Sequence, residues 1–411
     1  MADALILAPP VDRVPASSLG FPDPDAVGLD LRLAALPAVG LIRCPLMSGQ
    51  LSVRVVSNEA LVDSERARWA DLQDADSRLA SPFFSPEFTA CVAAVRRDVF
   101  VAVIHQGDRI VGFFPFQRNG RTGLPVGGAR SNYEGVILEA GVELDPRMLL
   151  RSCGLVRWRF QHLPVEQATF RRFIKVVAGS PYVDLSGGFE AYAEGRRRAG
   201  SNVVVDTERK ARKLAREVGA LRFVPMSDDS DVLLQLLHWK SSQYRRNGMV
   251  DTFAAKSNVD LLERVHAVRT ERFAGTLSAL YAGDRLVAAN MGMRSHHTWH
   301  DWFPAYDQEM GRYSPGLILF LRMIHAMPRL GLRVLEFGPG GEAYKQRLMT
   351  GEFRLAEGTA AATRVGQLQS TAGFEVLLTR RRVQRLVAGT SLAPHLLSVR
   401  RALRARFNGT R

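Results

Sequence analysis

The stretch LRVLEFGPGGEAYKQRL, Leu332–Leu348, admits two incompatible folds. Val334–Phe337 reads as a short apolar strand, a glycine-rich turn follows, and a helix pattern begins. Gly338, Gly340 and Ala343 spell G-x-G-x-x-A, a nucleotide-binding fingerprint when it joins a strand to a helix, because the glycines let backbone amides approach a pyrophosphate. A similar turn also arises in other architectures, so the rest of the chain has to decide.

The 411 residues, at roughly 100–200 per domain, predict two or three domains, and a hydrophobic fraction of 46% suits a globular core. Lys plus Arg number 55 and Asp plus Glu 41, a net charge of +14 that is unevenly spread. Residues 376–411 hold nine Arg and no acid, and residues 196–216 hold eight Lys/Arg against Asp206 and Glu208. Such blocks attract phosphates, anionic lipid or nucleic acid without choosing among them, and are most often solvated faces. Cys44, Cys91 and Cys153 are odd in number and form no C-x-x-C pair, so neither a disulfide framework nor a zinc site is expected. A reducing, cytoplasmic setting fits. The N-terminus does not read as a signal peptide. The most apolar run, LILFLRMIHAM, is interrupted by Arg322 and His325, so no membrane span is predicted.

Residues 1–50, rich in Pro, Ala and Gly, read as a poorly ordered leader. SNEALVDSERARWADLQDAD reads as a helix with Trp69 and Leu72 inward; SPEFTACVAAV reads as a second, with Ser85 as cap and Pro86 at the first helical position. FVAVIHQGDRIVGFFPF (100–116) and LSALYAGDRLVAANMGM (277–293) then share one design: an alternating strand, a G-D-R turn and another alternating strand. Gly107 and Gly283 lie 176 residues apart, and a helical pair precedes each hairpin. This repeat predicts two related halves, 51–180 and 181–365, joined around PYVDLSGGFEAY, with a basic helical tail over 366–411. In the second half a basic helix, DTERKARKLAREVG, ends at Gly219. A strand, two amphipathic helices, the hairpin, the aromatic strand HTWHDWFPAYD, the helix YSPGLILFLRMIHAMPRLG and the opening stretch follow.

VLEFGPGG also resembles the first glycine motif of S-adenosylmethionine methyltransferases. That motif opens a doubly wound sheet, and several strand–helix units must follow it. Only 73 residues remain after Gly338, the last 36 of them an Arg-rich tail, and YAGDRL upstream is a hairpin rather than a crossover. A dinucleotide fold fails for the same reason. From about Ser81 to Gly358 the chain instead resembles the bacterial CelD/BcsL-like GNAT acetyltransferase family, relatives of the FemAB aminoacyltransferases. The matching residues are SPFFSPEF, GDRIVGFFPF, RKARKLAREVG, AYDQEMGRYSPGLIL and EFGPGGEAYKQRL. The resemblance implies an α/β (α+β) chain of two tandem GNAT-like domains, each a mixed, mostly antiparallel sheet flanked by helices, with the catalytic cleft in the second half.

In a GNAT fold the fourth and fifth strands splay, the acyl-CoA thioester enters the gap, and the pyrophosphate rests on the following helix. QEMGRYSPG supplies that helix start. Ser314 is expected as cap, Pro315 at the first helical position and Gly316 as open backbone, with Arg312 adding charge to an anion seat. Gln308 and Gly311 match the family loop Q/R-x-x-G-x-G/A, whose last small residue is Tyr313 here. Tyr344 resembles the tyrosine that protonates the departing thiolate, a suitable task for a phenol with a reference pKa near that of an alkanethiol. Lys345 corresponds to a FemAB lysine beside a phosphate-bearing substrate. Glu336, ending the strand, is the favoured base and Asp301 the rival. His296, His297, His300 and Asp301 alternate along an extended segment, which leaves too few ligands on one face for zinc. Trp299 and Trp302, on opposite faces, read as packing, and neither G-x-S-x-G nor a P-loop is present.

The expected function is N-acyl transfer, with acetyl-CoA as co-substrate and no metal. The expected acceptor is an amino sugar of exopolysaccharide (including cellulose-linked) or cell-envelope biosynthesis, free or nucleotide- or lipid-linked. SNYEGV (131–136) is a candidate acceptor loop by analogy. The alternatives are FemAB-like transfer from aminoacyl-tRNA, with helix 207–216 as footprint, and a non-catalytic module binding a nucleotide or anionic lipid. The tail suits an amphipathic helix on an anionic membrane or polysaccharide machinery, or a solvated helix; nucleic acid is not the expected partner.

Overall fold

A computed structural model describes residues 50–371 of the chain. The expected leader and all but the first few residues of the expected tail lie outside the described residues. The first half supplies β1 (Leu51–Ser57), α1 (Asp63–Asp74), α2 (Pro86–Ala93), β2 (Val99–Gln106), β3 (Arg109–Asn119), β4 (Thr122–Leu124), β5 (Ile137–Leu138), α3 (Pro146–Ser152), β6 (Arg157–Pro164) and β7 (Ile174–Asp184). The second supplies α4 (Gly188–Arg198), α5 (Val203–Glu217), β8 (Leu221–Val224), α6 (Ser230–Arg246), α7 (Lys256–Ala267), β9 (Ala274–Ala282), β10 (Arg285–Arg294), β11 (Thr298–Tyr306), α8 (Pro315–Ala326), β12 (Val334–Glu336), α9 (Ala343–Leu348) and β13 (Gly351–Ala361).

Both G-D-R triplets close two-residue hairpins, pairing Gln106 with Arg109 and Ala282 with Arg285. Gly107 and Gly283 take φ of 62° and 59°, the left-handed region such turns require. Ser85 caps α2 by accepting from the Phe88 amide at 3.0 Å. Trp69 is fully buried, stacked on Phe113 at 5.0 Å and donating to the Phe84 carbonyl at 2.7 Å.

All the strands join one mixed, mostly antiparallel sheet, ordered β1-β2-β3-β4-β6-β13-β7-β12-β11-β10-β9-β8, with β5 against β3. Read from its two ends the order is palindromic: β1 matches β8, β2 matches β9, β3 matches β10, β4 matches β11 and β6 matches β12. In both halves a parallel pair, β4·β6 and β11·β12, is connected through a helix, α3 or α8. The duplication detected in the hairpins therefore extends to the whole topology. The closing strands are exchanged. β7, from the first half, pairs with β12, and β13, last in the chain, inserts between β6 and β7. The expected junction at 180–181 falls inside β7, and the sheet continues across it.

Side chains alternate across the strands, so each face of the sheet has its own cores. One face carries a single core shared by both halves, in which Trp69, Phe88, Leu236 and Leu262 from α1, α2, α6 and α7 meet Val103, Leu277 and Leu355. The other face carries two cores. Ala211 of α5 and Phe320 of α8 meet Leu280 and Leu335 in one, and Leu149 of α3 meets Phe114, Trp158 and Ala360 in the other. The shared core lays first-half segments over the second half's strands.

Candidate active site

β11 and β12 run parallel for three residue pairs, Thr298–Val334, Trp299–Leu335 and His300–Glu336, and then part. β12 ends at Glu336, whereas β11 continues to Tyr306. On its other side β11 bulges: Met291 faces Phe303 and Gly292 faces Asp301, so Trp302 has no register partner. A bulge bends the strand that carries it and re-aims the neighbouring side chains. A fork with unpaired backbone edges opens where His300 and Glu336 make the last pair.

The glycine turn of the opening stretch lies at this fork, and its geometry decides the first question. Gly338 (φ 68°) and Gly340 (φ 143°) hold backbone that other residues rarely adopt. Their bareness serves protein side chains. A Cβ on Gly338 would lie 2.6 Å from Asn132 Nδ2, and one on Gly340 2.9 Å from Lys345 Nζ. Lys345, 5% exposed, donates to the carbonyls of Gly338 (3.3 Å) and Pro339 (3.2 Å) and pairs with Glu342 at 3.0 Å. A pyrophosphate loop aims amides at its ligand; this turn aims carbonyls at a cation. It is a lysine clasp. Lys345's three N–H donors are thereby engaged within its own turn, and α9 follows as a six-residue helix.

Two acid–base pairs flank the fork on opposite faces of the sheet. On the α8–α9 face, Tyr344 donates to Asp301 Oδ2 at 3.1 Å and stacks on Phe320 at 4.9 Å. Asn290 donates to Asp301 Oδ1. Burial raises the Asp301 pKa, opposed by Lys345, Asn290, His300 and Tyr344; burial, with the Asp301 and Glu342 charges, holds the Tyr344 phenol well above its ordinary value. Lys240 of α6 feels the same group: burial lowers its pKa against the charges of Asp301 and Glu342. On the opposite face, fully buried His300 places Nδ1 3.0 Å from Glu336 Oε2, which also accepts from Ser81 Oγ at 2.9 Å. Asn132 Nδ2 lies 2.9 Å from His300 Nε2, and the Phe83 ring stands edge-on to the imidazole at 4.8 Å. Ser81, Phe83 and Asn132 belong to the first half, which thus walls one side of a fork built in the second.

At the start of α8, where the anion seat is expected, the role of Ser314 needs correction. Ser314 occupies the cap position, but its side chain caps no amide: its φ is 55°, and its hydroxyl accepts from Lys210 of α5 at 2.8 Å. The amides of Leu317 and Ile318 bond to the Ser314 carbonyl instead, Pro315 fills the first helical position, and half-buried Gly316 leaves its amide uncovered by any side chain of its own. Tyr313 is buried and donates to Glu217 at 2.8 Å; Arg312 donates to its hydroxyl at 2.6 Å and lies over its ring. Gln308 is exposed and Gly311 half-buried in the turn ahead of α8. A 12-residue helix N-terminus with Lys210 and Arg312 beside it suits a diphosphate. The equivalent helix in the first half is closed to anions: Asp145 caps α3 with its own carboxylate, accepting from the amides of Arg147 and Met148.

The structure brings Glu336, Asp301, Tyr344 and Lys345 to the fork, with the seat from Gln308 to Gly316 at the start of the adjoining helix. His296 and His297 precede β11 instead of lying on it; they reach Asp74 and the Gly331 carbonyl. Among the described residues no three His, Cys, Asp or Glu are grouped to hold a metal. His300, Asn132, Ser81, Asn290, Lys240 and Lys210 also belong to the site. Sequence reasoning weighed His300 only as a metal ligand. The signal available was its position, one residue before Asp301 and level with Glu336.

Residues 203–346 match the family model described as the acetyltransferase (GNAT) domain. No curated protein matches the chain. Among solved structures the chain is similar to FemX (8% identity, TM-score 0.48, covering 75% of this chain and 96% of that one). It is also similar to the C-terminal domain of a protein described as a lysylphosphatidylglycerol synthetase from Agrobacterium fabrum (12%, TM-score 0.46, covering 77% and 97%). A third is a tandem GNAT protein from the clavulanic acid biosynthesis pathway (13%, TM-score 0.44, covering 76% and 99%).

Proposed function

We propose that the chain is a GNAT-type N-acyltransferase that moves an acetyl group from acetyl-CoA to an amine. The observation that carries this reading is the coincidence, inside the segment matching the GNAT family model, of a strand fork with an anion seat on the connecting helix. A diphosphate on α8 directs the attached pantetheine arm along β11 into the fork, where backbone edges are free to bond it. The amine nitrogen attacks the thioester carbonyl carbon, the C–N bond forms, and the C–S bond breaks. Tyr344 gives its proton to the departing thiolate; its raised pKa keeps it protonated at neutral pH, as a general acid must be. Asp301 fixes the phenol, and Lys345 favours ionised Asp301 against the burial that opposes it. Glu336 and Asp301 are the carboxylates that flank the fork.

The proposed acceptor is an amino sugar of exopolysaccharide or cell-envelope biosynthesis, a choice supported by the resemblance of the sequence to the CelD/BcsL-like family. The loop 131–136, in contact with His300 through Asn132, is the proposed acceptor wall. Action in the cytoplasm, with the Arg-rich tail at a membrane or polysaccharide machine, belongs to the same proposal. No helix among the described residues is long and apolar enough to cross a membrane.

The test is calorimetric titration with acetyl-CoA, with CoA and S-adenosylmethionine as controls. Micromolar acetyl-CoA binding that weakens when Ser314-Pro315-Gly316 is rebuilt with bulky acidic residues is the expected result. Tyr344→Phe then keeps that affinity and loses about 10²–10⁴-fold in thiol release. Failure to bind either CoA species overturns the reading. Steep salt dependence of binding to aminoacyl-tRNA would then favour the FemAB-like alternative.

A further inference from the structure

We propose that His300 takes the proton from the acceptor amine, with Glu336 and Ser81 as positioning residues and Asn132 holding the place of the amine in the free protein. The assignment rests on the acyl-transfer reading above and specifies its acceptor side.

The hydrogen bonds set the tautomer. A carboxylate only accepts, so the bond between Glu336 Oε2 and His300 Nδ1 (3.0 Å) places the proton on Nδ1 and leaves the lone pair on Nε2. Ser81, donating to the same oxygen at 2.9 Å, fixes the carboxylate. The partner of Nε2 is an amide N–H donor, Asn132 Nδ2, at 2.9 Å. That nitrogen stands where an acceptor ammonium would donate. Asn132 is half-buried on a first-half loop, and it approaches His300 through the space left by the missing Cβ of Gly338. The rings of Phe83 and Tyr133 stand edge-on to the imidazole at 4.8 and 6.0 Å and hold its orientation.

The two carboxylates named as bases are less well placed. Glu336 Oε2 is occupied by Ser81 and His300, so Glu336 acts through the imidazole. Asp301 is engaged by Asn290 and by Tyr344, on the face from which the thiolate leaves. Adjacent strand residues point to opposite faces, so His300 faces the first-half wall while Asp301 faces α8 and α9. The amine then arrives on one side of the fork, and the thiolate departs on the other. The titratable groups around His300 are Glu336 on β12, Tyr133 on the wall loop, His162 on β6 and its neighbour Asp301.

The protons balance. Of the two that an ammonium sheds in becoming an amide, the first passes to His300 Nε2 and leaves to solvent after turnover. The second replaces the proton that Tyr344 gives to the thiolate sulfur. One N–C bond forms, one C–S bond breaks, and one proton is released.

The first test needs no acceptor. Imidazole ¹⁵N NMR of the full chain should find His300 as the Nδ1–H tautomer, and Asn132→Ala should move only its Nε2 resonance. An Nε2–H tautomer overturns the assignment. The second measures thiol release from acetyl-CoA with glucosamine against pH. Glu336→Gln, which keeps shape and an acceptor oxygen, should preserve thermal unfolding and CoA affinity. Its kcat/KM should fall at least tenfold, with the acidic limb of the profile displaced. An acidic limb unmoved in both Glu336→Gln and His300→Gln, in proteins that bind CoA normally, refutes the role of His300. Wild-type protein that fails to bind CoA removes the acyl-transfer reading itself, and this assignment with it.

Discussion

Replacing Glu134 by Gln tests the buried network that seats the wall loop. Glu134 accepts from the amides of Gln161 and His162 through Oε1, while its buried Oε2 has no partner among the described residues. Burial raises its pKa to about 8, against an ordinary value near 4.3 in the unfolded chain. The folded protein therefore carries a proton there that the unfolded chain has released. The resulting stability is complete below the unfolded pKa and is lost as pH rises through about 8. Between pH 7 and 9 the native carboxyl gives up most of that proton, and unfolding becomes easier by about 1.4 kcal/mol, roughly 2–4 °C in Tm. Gln keeps the Oε1 acceptor and cannot ionise, so the variant lacks this slope. Cys91 and Cys153, raised by burial to about 11 and about 12, also lose stability at alkaline pH, but equally in both proteins. The assay is denaturant unfolding of wild type and Glu134→Gln at several pH values, read as the difference between them. A difference that is flat from pH 7 to 9 would refute the reasoning, since the native carboxyl would then be ionised throughout.

Gly338→Ala should cost about 1–2 kcal/mol for the left-handed backbone and should push Asn132 off His300, lowering Tm in calorimetry and dislodging the wall loop. Lys210→Met removes the ammonium 2.8 Å from Ser314 Oγ; acetyl-CoA affinity should fall on the order of tenfold by titration, with Tm unchanged within a degree or two.

The sequence by itself determined whatever depends on short-range pattern. The G-D-R hairpins, the inward Trp69 and the Ser85-Pro86 helix start all follow from alternation and turn chemistry. The repeat of the hairpins announced two halves. Glu336 and Asp301 were singled out from their strands, and Tyr344 and Lys345 through the family resemblance; the structure places all four at the fork. The tertiary structure alone decided how the halves interlock. Gly351–Ala361 lies beyond the last element read from the sequence, yet it becomes a central strand because β6 and β7 offer it two free edges. Its pairing is non-local, and no periodicity within the segment encodes its partners. The role of Ser314 was also beyond local rules, since a Lys210 more than a hundred residues upstream claims the hydroxyl that a cap would use. The site itself is assembled across 255 residues, the separation of Ser81 from Glu336. His300 could be weighed as a base only once Glu336, Ser81 and Asn132 were seen around it, because the tautomer of an imidazole is set by partners that folding alone brings within about 3 Å.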